Sequence, residues 1–213
     1  MTSLDNKELE PVFAFGGIGL GSKANEEQVD PISLAIAKAL YGALKFNLRV
    51  SVIDSETGEE SQVWEKIGDV GDVQLVQLIC AQIFATSQSS CVKDTGGTLR
   101  TISAGSSVTA VQIVAGTGGT TAAVTDYQLG TIVSSPAGAG TQTATVNTVS
   151  TTAGTVTLTA NMNGPSSATT YKEVGIYVTI ATYTVQVARD YNSGGWSVST
   201  TQYLAVTYTI TPS

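Results

Sequence analysis

The sequence predicts a mainly β protein: an antiparallel β-sandwich, jelly-roll or immunoglobulin-like, preceded by an extended arm and one or two helices. Three observations predict it. From about Asp94 onward, short runs of alternating Thr, Val, Ile and Tyr are broken by Gly, Ser, Pro and Asn at intervals of roughly 8 to 15 residues, the spacing of a sandwich or barrel. Charged residues make up only 13% of the 213, about half the usual share. Histidine is absent altogether.

Residues 1–30 read as an extended arm. Phe13, Phe15 and Leu20 flank or lie within a glycine run, Gly16-Gly-Ile-Gly-Leu-Gly21, set between acidic stretches. Such a segment alone does not offset its ordering entropy, so these apolar side chains are candidate docking residues. Residues 31–93 form an α+β attachment or oligomerisation segment. Asp30 can cap a helix, Pro31 suits its first turn, and Ile32, Leu34, Ile36, Leu40 and Leu44 lie along an apolar stripe. Phe46–Val52 alternates with period two, as a strand does, and Asp54–Glu60 is a turn. After a break at Gly68–Gly71, Asp72 can cap a second helix through Phe84. Residues 94–213 form the sandwich. Its strands are Val108–Val114, Tyr127–Val133, Thr141–Val149, Gly154–Met162, Tyr171–Ile180, Tyr183–Asp190 and Gln202–Ile210, with turn material at 116–119, 134–140, 163–167 and 192–195.

The composition narrows the partners. A net charge of −7 with no basic cluster argues against nucleic acid or an anionic membrane surface. No run approaches the ~20 apolar residues of a membrane-spanning helix. The N-terminus lacks the basic and apolar regions of a secretory signal, which predicts assembly in a cytoplasm and reduced Cys80 and Cys91. A surface covered by Thr, Ser, Gly, Asn and Gln suits packing against copies of the same chain, because little charge is desolvated on association.

Candidate chemistry is sparse. The glycine run before Lys23 lacks the spacing of a phosphate loop, so it reads as arm. Asp54, Glu56, Glu59 and Glu60 do not follow a calcium-loop order and read as a solvated turn. A nucleophilic Ser has no histidine to activate it. No cofactor or metal site is expected. Glu173 and Arg189 stand out on adjacent predicted strands, either as a cross-strand ion pair that sets register or as a contact to another subunit. Trp196 and Tyr191 are candidate interface or ligand aromatics: with Trp64, Tyr171, Tyr183 and Tyr203 they either fill core or interface or form a sugar-binding platform.

Six segments then follow one another in order: Asp94-Thr-Gly-Gly-Thr98, Ile113-Val-Ala-Gly-Thr-Gly118, Asp126-Tyr-Gln-Leu-Gly130, Lys172-Glu-Val-Gly-Ile-Tyr177, Val187-Ala-Arg-Asp190 and Leu204-Ala-Val-Thr-Tyr-Thr-Ile210. Together they resemble the C-terminal β domain of structural proteins from tailed bacteriophage particles. The resemblance covers residues 94–213, with Tyr191-Asn-Ser-Gly-Gly-Trp196 standing where that family has an apolar stretch. It implies a non-enzymatic virion component, assembled in the host cytoplasm, on the capsid, a head fibre or the tail. Its partners would be its own copies and other virion structural proteins. An adhesin that binds a host-surface glycan is the alternative expectation.

Overall fold

The computed structural model describes residues 44–69, 74–75, 78–79, 88–103, 106–123, 125–133, 141–143, 145–149, 154–162 and 165–212. Eleven strands are placed there: β1 (Leu44–Asp54), β2 (Glu60–Asp69), β3 (Gln88–Lys93), β4 (Leu99–Ile102), β5 (Val108–Gly116), β6 (Thr141–Thr143), β7 (Thr145–Val149), β8 (Val156–Met162), β9 (Thr169–Ile180), β10 (Tyr183–Val198) and β11 (Gln202–Pro212). They form a five-stranded sheet in the order β2-β1-β11-β8-β7, a four-stranded sheet in the order β10-β9-β5-β6, and the β3-β4 hairpin. Every pairing between these strands is antiparallel.

Period-two alternation explains where the core sits. In β1, Phe46, Leu48, Val50 and Val52 all turn inward and are at most 2% exposed, and Leu204, Val206 and Tyr208 of β11 do the same. The four-stranded sheet answers with Ile113, Val174, Ile176, Ile180, Val185 and Trp196, and all of these belong to one apolar cluster shared by the two sheets. Each such side chain contributes roughly 1.5–3 kcal/mol by leaving water.

β1 runs beside β11 without a register break, from Leu44↔Pro212 to Asp54↔Gln202. The sheets are also joined covalently along one side. β6 pairs with β5 of the four-stranded sheet, and β7, one residue further on, pairs with β8 of the five-stranded sheet.

Several expectations change. Tyr127–Val133 is not a strand. It makes a single bridge, Gly116↔Ile132, because the N–H groups of Leu129, Gly130 and Thr131 are taken by side chains instead of a neighbouring strand. Asn192–Gly195 is not a turn between strands but a bulge inside β10, between the pairs Tyr191↔Glu173 and Trp196↔Tyr171. Gly195 takes a φ of 70°, and a Cβ there would lie 2.7 Å from the Tyr171 carbonyl oxygen. Leu44, the last residue of the expected first-helix stripe, opens β1.

Strands β2, β3 and β4 were not foreseen. β2 is an edge strand, rich in charge and shifted in register beside Val50, so its alternation is broken. Because β1 and β2 hydrogen-bond into the sheet that holds β11 and β8, strands on both sides of the 93/94 boundary share one sheet. In the expected second helix, Gln74-Leu75 and Leu78-Ile79 are helical. The arm 1–30 with Phe13, Phe15 and Leu20, the helix expected from Asp30, and Cys80 lie outside the described residues.

Candidate functional site

Glu173 on β9 and Arg189 on β10 both point away from the shared core, onto the outer face of the four-stranded sheet. They are nevertheless 0% and 7% exposed, because the segment from Thr117 to Val133 folds back over that face. Arg189 Nη2 donates to Glu173 Oε2 at 2.8 Å and Nε donates to the same oxygen at 3.1 Å. The remaining Glu173 valences hold the covering loop. Oε1 accepts from the backbone N–H of Gly118 at 2.9 Å and of Thr131 at 2.8 Å, and Oε2 accepts from Gly130 N–H at 2.9 Å.

Arg189 completes the clamp from the other side. Its Nη1 pairs with Asp126 Oδ2, and its Nη2 donates to both the carbonyl and the hydroxyl oxygen of Thr120 at 2.9 Å. Asp126 also accepts from Ala123 N–H at 2.8 Å. Burial works against the Arg189 charge. The hydrogen bonds and charges of Asp126 and Glu173 outweigh it and hold the guanidinium above its ordinary pKa.

Charged hydrogen bonds anchor the loop. Among its described residues, buried Leu129 packs with Val114 and Tyr177, while Leu129 N–H donates to Tyr177 Oη at 2.8 Å. Glycine is required where the backbone passes the carboxylate. A Cβ on Gly118 would lie 2.3 Å from Glu173 Oε1, and one on Gly116 would lie 2.4 Å from the Thr131 carbonyl oxygen. With both oxygens of Glu173 and all three guanidinium nitrogens of Arg189 engaged, the cluster is built to position a loop.

Two smaller knots adjoin it. Asp94 Oδ1 accepts from Gly96 N–H at 3.0 Å and Thr98 N–H at 2.8 Å, while its Oδ2 accepts from Arg100 Nε at 2.6 Å. The Thr98 amide and then the Arg100 hydrogen bond hold this carboxyl below the usual range. Gln74 ties the hairpin to the loop: it accepts from Lys93 N–H at 2.9 Å and donates to the Asp126 carbonyl at 3.0 Å. Asp190, 2% exposed, accepts from Lys66 Nζ at 2.9 Å and from Tyr208 Oη at 3.0 Å, which links β10 to β2 and β11.

The sequence-predicted residues separate clearly. Glu173 and Arg189 meet within the chain. Trp196 is 1% exposed and packs edge-on against Trp64 at 5.5 Å and 74°, so this indole fills the core and is no surface platform. Across the bulge at Asn192–Gly195, Trp196 comes into register with Tyr171, which is also fully buried. Tyr191 is half-buried opposite Glu173. Of the Asp54–Glu60 acids, Asp54 caps its own turn through Glu56 and Thr57, and Glu60 is held at a pKa of about 2, mainly by its bond to Arg49. Among the described residues no group of His, Cys, Asp or Glu is placed to hold a metal ion.

Sequence reasoning missed Asp126, Thr120 and the amides of Gly118, Gly130 and Thr131 as partners of Glu173 and Arg189, and Gln74 as the tie to the Asp126 carbonyl. A signal was present: Asp126 is the one acid between Asp94 and Glu173, in a stretch with glycines on both sides of it. No protein-family model, no curated protein and no solved structure matches this chain.

Proposed function

We propose that this chain is a non-enzymatic structural subunit of a tailed-virus particle, assembled in the host cytoplasm. It packs into a symmetric assembly with its own copies and other virion proteins through its N-terminal part, and displays a β-sandwich of jelly-roll or immunoglobulin-like type. Two antiparallel sheets that share one core support the sandwich.

One observation carries the reading. The segments that resemble the phage β domain are far apart in sequence, yet they supply the members of adjoining polar knots. Gly118, Asp126, Gly130, Glu173, Tyr177 and Arg189 build the loop clamp, Asp94 closes the neighbouring hairpin, and Asp190 meets Tyr208. The shared motifs are therefore parts of one cooperative framework, and the scarce charges of the β region serve cohesion.

The alternative reading, an adhesin that binds a host-surface glycan, would have to use Tyr191 and nearby loops, because Trp196 is buried. Deletion of residues 2–28 tests the proposal. Incorporation into particles should be abolished while the far-ultraviolet β signal persists, and normal incorporation would count against it. An electron-microscopy map of the intact particle would give the location directly.

A further inference from the structure

β2 and β10 are edge strands of different sheets, and no backbone ladder joins them. Side chains close this flank instead. Gln62 Nε2 donates to the Ser197 carbonyl at 2.8 Å, and its Oε1 accepts from Ser197 N–H at 2.9 Å. Two residues on, Trp64 meets Trp196 edge to face. Two further on, Lys66 Nζ donates to Asp190 Oδ1 at 2.9 Å. The first two contacts hold the strands side by side, so the third is a fixed meeting of an amine with a carboxyl group.

Its surroundings separate this pair from a surface ion pair such as Arg49–Glu60. Lys66, Leu48, Tyr208 and Leu158 form one row across β2, β1, β11 and β8. The last three are buried, and Lys66 is half-buried at the end of the row, where protons and water can pass. Asp190 comes from the facing sheet, 2% exposed and in register with the buried Val174. Tyr208 Oη donates to its other oxygen, Oδ2, at 3.0 Å. The carboxyl group therefore lies inside the sandwich with an amine at one oxygen and a hydroxyl donor at the other. Burial penalises the charges of a salt bridge and brings the neutral amine–acid pair closer in energy.

We propose that Lys66 and Asp190 condense to an isopeptide bond within the folded chain. A proton passes from the Lys66 ammonium to Asp190 Oδ1, and the neutral amine attacks Cγ. The charge that develops on Oδ2 is held by the Tyr208 hydroxyl. Oδ1 then takes a second proton from the amine nitrogen and leaves as water, while the carbonyl re-forms on Oδ2. The ammonium and carboxylate become one amide and one water, with no oxidant or cofactor. In bulk water hydration opposes this condensation, but reactants held in place act at an effective molarity of about 10⁵ M or more. The bond joins β2 to β10 on the flank opposite the β6–β7 crossover, so covalent links close the sandwich on both sides.

Intact-mass spectrometry of the denatured full chain tests this. The wild-type chain should be lighter than its sequence by one water, and digestion should yield a branched peptide joining Lys66 to Asp190. Lys66→Arg keeps the positive charge without the amine, and should carry its full sequence mass. In cell-free synthesis Tyr208→Phe should lose water about 10²-fold more slowly than wild type, as expected for removal of one donor to the developing charge. A wild-type chain at full sequence mass overturns the proposal without any variant, and leaves a salt bridge only. So does a branch between other residues, a Lys66→Arg chain that still loses water, or Tyr208→Phe condensing at the wild-type rate. No readout involves a particle, so the result is independent of the virion reading.

Discussion

Arg189 lies diagonal to Glu173 across the β9–β10 ladder, not opposite it. Glu173 is in register with Tyr191 and Arg189 with Gly175, so the guanidinium reaches its carboxylate past a position that has no side chain. Gly175 is thereby part of the ion pair. A Cβ there would lie 2.7 Å from the Ala188 carbonyl oxygen and 3.2 Å from Leu129 Cδ2, at the floor on which the loop rests.

Removing the Glu173 charge leaves Arg189 buried with Asp126 as its remaining carboxylate partner. Glu173→Gln should destabilise the fold by about 3 kcal/mol, near the lower end for breaking a buried pair from one side. Denaturant unfolding monitored by far-ultraviolet circular dichroism checks this. A loss below ~1 kcal/mol would mean that the clamp contributes little.

The loop should respond to glycine substitutions position by position. Gly118→Ala drives a methyl into a carboxylate that four other hydrogen bonds hold still, and should cost about 2 kcal/mol or more. Gly119→Ala meets nothing within 4 Å and should stay within about 0.5 kcal/mol of wild type. Equal effects at the two neighbours would contradict the described path of the backbone.

Trp196→Ala empties a fully buried site and should cost about 3–5 kcal/mol. The measurement is again an unfolding midpoint. A variant of unchanged stability would place the indole outside the core and reopen the surface-platform reading.

The hairpin should loosen in acid. The folded-state pKa of Asp94 is depressed, so its contribution is complete above the unfolded value of about 4 and is lost as pH falls through the folded one. Amide exchange at Gly96 and Thr98, whose N–H groups donate to this carboxylate, should quicken below about pH 4, after correction for intrinsic rates. Asp94→Asn should show raised exchange at neutral pH and little further change on acidification.

Legibility in the sequence followed how local each signal is. β1, β8 and β11 were readable because buried and less buried residues alternate along most of each strand, and β5 and β9 because they are runs of β-branched and aromatic residues, buried on consecutive positions where both faces are covered. β2 was not, because its Gln62 bulge breaks the alternation and its charges mimic a long surface turn. Tyr127–Val133 has strand-like composition, but its partners are Glu173 and Tyr177, more than forty residues away. Glu173 and Arg189 could be singled out because charge is scarce. What Glu173 holds could not, since a backbone N–H carries no mark in the sequence.

The flush register at Leu44↔Pro212 puts the entry of β1 and the exit of β11 at one corner. Tension applied between those two points loads the ladder as a zipper, opening one antiparallel pair after another, and does not shear all of its bonds together. A subunit tethered through both points would peel at low force. A tether at the Leu44 end alone would leave this seam unloaded.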